Sequence, residues 1–196
     1  MFYALRNLFA LLGFFTAIVA IYTAVKLAPM IQAFESFDDK AIDVYSEMMT
    51  SVVETGNAVE AMVWKVAVNE GLTVADVEET MRFVANEHNI KNVGELPLSS
   101  QVEAMSGEKS RHLKIFMFCN ALTADKMLDY SDAYSAFLPC RISIVEDKQG
   151  RLWLYSLNMD AMIYGGKPLP AGLKQEAESV KEIILDIMNR GAEGDF

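Results

Sequence analysis

The sequence predicts an α+β fold, a two-layer α/β sandwich preceded by a single transmembrane helix and a long amphipathic helix. Three observations lead there. Leu8 to Val25 is a run of 18 residues without a charge. Residues 39–69 set apolar side chains at three- and four-residue spacing, the period of a helix with one buried face. The second half alternates apolar and polar residues over short segments between turn residues, then closes on another helical pattern.

The uncharged run is rich in Phe, Leu, Ile and Ala. As a helix it rises roughly 27 Å, close to the hydrocarbon thickness of a bilayer. Phe2, Tyr3 and Tyr22 lie near its ends, where aromatic rings favour the interface, and Lys26 can snorkel outward. A cleaved leader needs small residues just after the apolar run. Lys26-Leu27-Ala28 puts a lysine in that place, and Ile31-Gln32-Ala33 lies far downstream. The expectation is an uncleaved anchor that meets membrane lipid through residues 8–25. The charge bias across it is slight, with Arg6 on one side and Lys26 on the other. The usual arrangement of such an anchor puts the N-terminus in the cytoplasm and the domain outside.

Beyond the anchor the chain is acidic. Of 17 Lys+Arg, only Arg6 and Lys26 precede residue 36; of 27 Asp+Glu, only Glu35 does. That leaves 15 against 26, a formal net of −11 over residues 36–196. Phosphate backbones repel such a surface, so nucleic acid is excluded as a partner.

Ile42, Tyr45, Met48, Val52, Val59, Met62 and Val66 mark the stripe of the 39–69 helix, and Gly56 weakens its middle by about 1 kcal/mol relative to Ala. Its first part serves as a stalk, as a surface for a second copy, or as packing for its own domain. Thr73, with Asp76 three residues on, caps a helix over Val74–His88. A short strand falls within Ile90–Leu98, and Met105–Arg111 is a polar loop. Leu113–Cys119 is a strand with Leu113, Ile115, Met117 and Cys119 on the core face. Thr123 caps a helix to Asp129, and Ser131 caps a further turn. Strands over Cys140–Glu146 and Arg151–Leu157 flank the Asp147–Gly150 connection. The last helix runs from Pro170 to Arg190 with Gly191 as its stop. The divisions are an anchor (1–35), a helical stalk (36–58) and an α+β domain (59–196).

The run Phe116-Met117-Phe118-Cys119-Asn120, a short helix, then Phe137-Leu138-Pro139-Cys140 and a hairpin resembles the bacterial family called domain of unknown function 302. In that family one strand ends in Cys-Asn and a second opens with Leu-Pro-Cys. Leu157-Asn158-Met159-Asp160 with Met162 looks like the family's segment after the hairpin. The resemblance covers roughly residues 60–190. It implies a compact α/β sandwich that is often a dimer, with no assigned reaction. Ala121 stands where the family usually has Pro, and the anchor and the 39–69 helix are additions. Joined to the anchor, the resemblance implies a single-pass protein of the bacterial inner membrane with its domain on the periplasmic side.

Candidate chemistry centres on Cys119 and Cys140. Alternation puts Cys119 in phase with Ile115 and Met117, and Cys140 in phase with Ile142 and Ile144, so both are expected on the core face. Three roles are open. A disulfide would close a loop of about 20 residues and contribute roughly 3 kcal/mol. A soft metal such as Cu(I) would draw on Met117, Met159 or Met162 besides the thiols. Two buried thiols can also simply pack as small hydrophobes. No Cys-x-x-Cys occurs, and neither His88 nor His112 belongs to a His-x-x-x-His pair. Gly165-Gly166-Lys167 lacks the remaining glycine and the Ser/Thr of a phosphate loop. No catalytic constellation stands out and no cofactor is expected. The function expected is a membrane-tethered binding or accessory module, docking on itself as a homo-oligomer or on a larger membrane complex. The rival is a small redox or copper-handling protein.

Overall fold

The computed structural model describes residues 2–196. In chain order, helices α1 (Phe2–Phe34) and α2 (Ala41–Thr55) precede a 3-10 turn (Glu60–Met62) and strand β1 (Val63–Ala67). Then come α3 (Val74–Glu87), β2 (Lys91–Leu96), α4 (Leu98–Ser106), β3 (Leu113–Cys119) and α5 (Ala121–Tyr130). A second 3-10 turn (Asp132–Ala136) leads to β4 (Cys140–Glu146), β5 (Leu152–Leu157), α6 (Asp160–Tyr164) and α7 (Ala171–Glu193). The strands form one sheet in the order β1-β5-β4-β3-β2, every neighbour antiparallel. This is the α+β sandwich that the sequence predicts.

The strand period of two decides what lies where. Phe116, Phe118, Ile142, Ile144 and Leu154 are fully buried, beneath Val77, Met81 and Val84 of α3 and Ile184, Ile187 and Met188 of α7. Truncating one of the two phenylalanines to Ala would cost about 3–5 kcal/mol. The other sheet face carries Ile115, Met117, Val145, Trp153, Tyr155 and Leu157, all half-buried and all outside the core cluster. The expected facing of β3 is therefore corrected. Both faces of that strand are apolar, so alternation alone does not say which one meets the helices.

Local chemistry explains most helix ends. The Thr73 hydroxyl accepts from the Asp76 N–H (3.2 Å), and the Asp76 carboxylate accepts from the Thr73 N–H (2.8 Å), a complete capping box. Asn120, not Thr123 as expected, caps α5: its side-chain oxygen accepts from the Leu122 and Thr123 N–H groups. The predicted single helix over 39–69 is also corrected. α2 stops at Thr55, where Gly56 takes φ +66 and its N–H donates to the Val52 carbonyl. The chain then turns and enters β1 as an edge strand. Residues 99–104, unassigned from the sequence, fall in α4, which also takes in Leu98 and the first two residues of the expected Met105–Arg111 loop. Gly191 does not end α7, which continues to Glu193. A β-carbon at Gly191 would lie 2.7 Å from the Met81 Cγ, so the glycine lets α3 and α7 approach closely.

Among the described residues, one helix is long and apolar enough to cross a membrane, over Phe9–Phe34, and none of that span is buried inside the protein. α2 does not stand off from the domain as a stalk. Ala41 and Val44 are buried, and the hydroxyl of Tyr45 donates to the Gly165 carbonyl.

Candidate functional site

Three features of the domain bear on function: a group of sulfur side chains, an apolar cavity, and the polar clasp that ties the segment after α1 to the domain. Cys119 ends β3 and Cys140 opens β4. The register pairs Phe118, not Cys119, with Cys140, so strand alternation turns the Cys119 side chain to the side of Met117. At the strand end, where the chain bends into α5, both cysteines nevertheless border one cavity of about 30 Å³. Met159 and Met162 border it too, as does Met127 of α5, which the sequence reading missed. Met127 lies on the helix between the two cysteines, and that position was the available signal. Met117 is not part of the group: its terminal methyl packs over Gly94.

The void is about the size of one water or ion. Both cysteines are free thiols. Burial, joined by the nearby Cys119, pushes the Cys140 thiol up to about 11, and burial raises Cys119 also. Thiols so raised are poor nucleophiles at neutral pH, because the thiolate is the reactive form. Two thiols with three thioethers are soft donors. Among the described residues, no group of three or more His, Cys, Asp and Glu is arranged to hold a metal ion.

The larger cavity encloses about 440 Å³ between α2, the first 3-10 turn, the end of β5, α6 and the segment after α5. Met48, Met62, Tyr134, Phe137, Leu157 and Met162 give it apolar walls, and Gly165, Gly166 and Lys167 form part of its lining. Its size falls in the usual range for small-molecule sites.

Beside it lies the clasp. Asp38, whose side chain is 1% exposed, accepts from the Lys174 ammonium at 2.5 Å and from the Lys40 N–H at 3.1 Å. The Asp38 N–H donates to the Gly166 carbonyl at 2.7 Å. Burial opposes the charge on Asp38, but the Lys174 and Lys40 hydrogen bonds outweigh it and hold the carboxyl below its ordinary value. Tyr164 sits at the centre, its ring 4.5 Å from the Lys40 ammonium, 5.2 Å from Lys174 and 5.4 Å from Lys181. Its hydroxyl donates to Glu178 at 2.9 Å; burial and that carboxylate push the phenol well up. The Gly165 and Gly166 carbonyls thus accept from Tyr45 and from the Asp38 N–H, and a β-carbon at Gly165 would collide with the Ala161 carbonyl oxygen. His88 pairs with Asp186 at 2.7 Å where α3 ends, and His112 leaves Nε2 unpartnered beside β3.

An antiparallel five-stranded sheet with its long helices on one face, and a strand-end cysteine beside a strand-start cysteine, defines a small α+β sandwich. The chain belongs to the family described as Domain of unknown function DUF302, whose model matches residues 64–191. The match runs from β1 to the end of α7 and leaves α1 and α2 outside. The fold is similar to the crystal structure of an uncharacterized conserved protein DUF302 from Bacillus stearothermophilus. That structure shares 14% identity and a TM-score of 0.54, over 66% of this chain and 97% of that one. No curated protein matches the sequence.

Proposed function

We propose that the protein is a membrane-tethered accessory module that docks through the open face of its sheet, first of all on a second copy of itself. The observation that carries this reading is that Ile115, Met117, Val145, Trp153, Tyr155 and Leu157 share that face outside the core, with Ser143, Arg141 and Lys65 set among them. Five strands ~4.8 Å apart, with about five residues each, make a face of roughly 400 Å². That is about half of what a standard interface buries per partner. Such a face is weak for partners meeting in three dimensions. A helix with the length and apolarity of Phe9–Phe34 would hold copies in one plane and raise their effective concentration. The tether therefore supplies what the face lacks. The full chain in mild detergent should sediment at about twice its 21.8 kDa mass, and Tyr155→Glu should return it to monomer. A wild-type protein that stays monomeric at every concentration tested would sink the reading.

The five sulfur residues around the 30 Å³ void support a second reading, soft-metal handling. Metal content and an absorption spectrum of the purified full chain, wild type against Cys140→Ser, separate the two. Metal bound equally by both proteins removes this site from consideration.

A further inference from the structure

We propose that the 440 Å³ cavity holds one acyl chain of a membrane phospholipid. This inference rests on the membrane tether proposed above. The volume comes first: at the ~30 Å³ of a water-sized group, the cavity has room for on the order of fifteen methylenes.

The lining comes second. Three of the polar side chains that reach the cavity are already engaged within the protein. The Tyr134 hydroxyl donates to the Met162 carbonyl at 3.1 Å, the Ser131 hydroxyl accepts from the Ala133 N–H, and the Asn158 side-chain oxygen accepts from the Asp160 N–H. A polar ligand would find few open partners, whereas a hydrocarbon chain needs none. Around the opening Met62, Tyr130 and Phe137 stay 45%, 43% and 39% exposed, an apolar rim that water does not favour.

Position comes third. Phe34 is the last residue of the apolar span, and its ring meets Tyr45 edge-on at 6.4 Å. The Tyr45 hydroxyl donates to the Gly165 carbonyl, and Gly165 to Lys167 line the cavity. The cavity wall is thus two contacts from the end of the span. A lipid chain lifted from the outer part of the bilayer reaches it without a long passage through water. Lys167 is exposed there, a cation beside which an anionic headgroup can rest.

The test uses the full chain in phosphatidylglycerol/phosphatidylethanolamine vesicles that contain a phosphatidylglycerol with a photoactivatable group near the end of one acyl chain. Crosslinks are then mapped by mass spectrometry. The expected result is labelling of α1 together with cavity residues such as Met162 and Tyr134. Ala133→Trp places an indole in the opening from an exposed position, which spares the core. It should cut cavity labelling about tenfold, the equivalent of two methylenes left unburied, while α1 labelling stays unchanged. Labelling confined to α1 overturns the inference and leaves the tether standing. Absence of labelling on α1 as well overturns the tether and the inference with it. Equal cavity labelling in wild type and Ala133→Trp, or displacement of the probe by a prenylquinone but not by unlabelled phosphatidylglycerol, also overturns it.

Discussion

Replacing Asp38 by Asn isolates the clasp between the segment after α1 and the rest of the domain. The substitution keeps the side-chain volume and the oxygen that accepts from the Lys40 N–H, and replaces the charged Oδ2 acceptor facing Lys174 by an uncharged amide NH2. Breaking a fully buried ion pair costs about 3–5 kcal/mol, while losing one hydrogen bond to a charged group costs about 1.5–3 kcal/mol. Lys174 decides between them. Its side chain is 24% exposed, and it keeps the Tyr164 ring at 5.2 Å, so the stranded ammonium retains water and a π face. The lower range applies, roughly 1.5–3 kcal/mol, which for a chain of this size lowers Tm by about 3–12 °C. The carboxyl titrates lower when folded than the ordinary Asp value of 3.8. Its contribution is therefore fully present above that value and is lost as pH falls through the lower folded value. Thermal unfolding of the full chain in detergent should show the deficit at pH 7, with wild type and Asp38→Asn converging in strong acid. Trypsin should also cut faster after Lys40 in the variant. A Tm unchanged at pH 7, with unaltered cleavage at Lys40, would refute the assignment of Asp38–Lys174 as the clasp.

Three further outcomes are expected. Gly191→Ala gains about 1 kcal/mol of helix propensity but sets a methyl 2.7 Å from the Met81 Cγ in a filled core. Overpacking costs typically about 1–3 kcal/mol, so the variant should melt lower, and a rise in Tm would contradict the close approach of α3 and α7. Glu95, held down at about 2 from 4.5 chiefly by Arg82, contributes stability above pH 4.5 that is lost on acidification toward pH 2. With Arg82 39% exposed, solvent screening limits the contribution to about 1–2 kcal/mol, and Glu95→Gln should flatten the acid limb of a stability–pH curve. Cys140 should resist alkylation at pH 8 in the native protein and react fully on unfolding; rapid native modification would show that the thiol is not held protonated.

The strands of the second half were legible because alternation and the Asp147–Gly150 turn are local signals. β1 was not. Val59, Met62, Val63 and Val66 repeat at helical spacing by coincidence, and the strand exists because Leu157 back to Trp153, some ninety residues away, pair with it. Gly56-Asn57 was the signal that the helix had ended. The facing of β3 failed for a different reason. Ile115 and Met117 are as apolar as Phe116 and Phe118, and only the helices above the sheet choose between them. The family resemblance puts Cys119 at the end of one strand and Cys140 at the start of another; that the two strands are antiparallel neighbours comes from their pairing. The one-residue offset between them is a matter of register, which depends on pairing and not on either segment alone. The large cavity was invisible because its walls come from stretches far apart in the chain, and no local signal says that they meet.

The strand order has a consequence for how the chain assembles. β3, β4 and β5 are neighbours both in sequence and in the sheet, β3 and β4 joined through α5 and the second 3-10 turn, β4 and β5 through the short Asp147–Arg151 connection. β1 leaves the exit of the translation machinery first among the strands, yet its only partner is β5, the last to be made. During synthesis β1 must wait, with its edge unpaired, until nearly the whole chain exists, and the entropy of closing so long a loop is offset only at that point. The clasp waits with it, because Lys174 follows β5 in sequence. Sheet completion and the seating of the segment after α1 against the domain are thus both late events, and a chain truncated before α7 would hold all five strands but not the Lys174 side of the clasp.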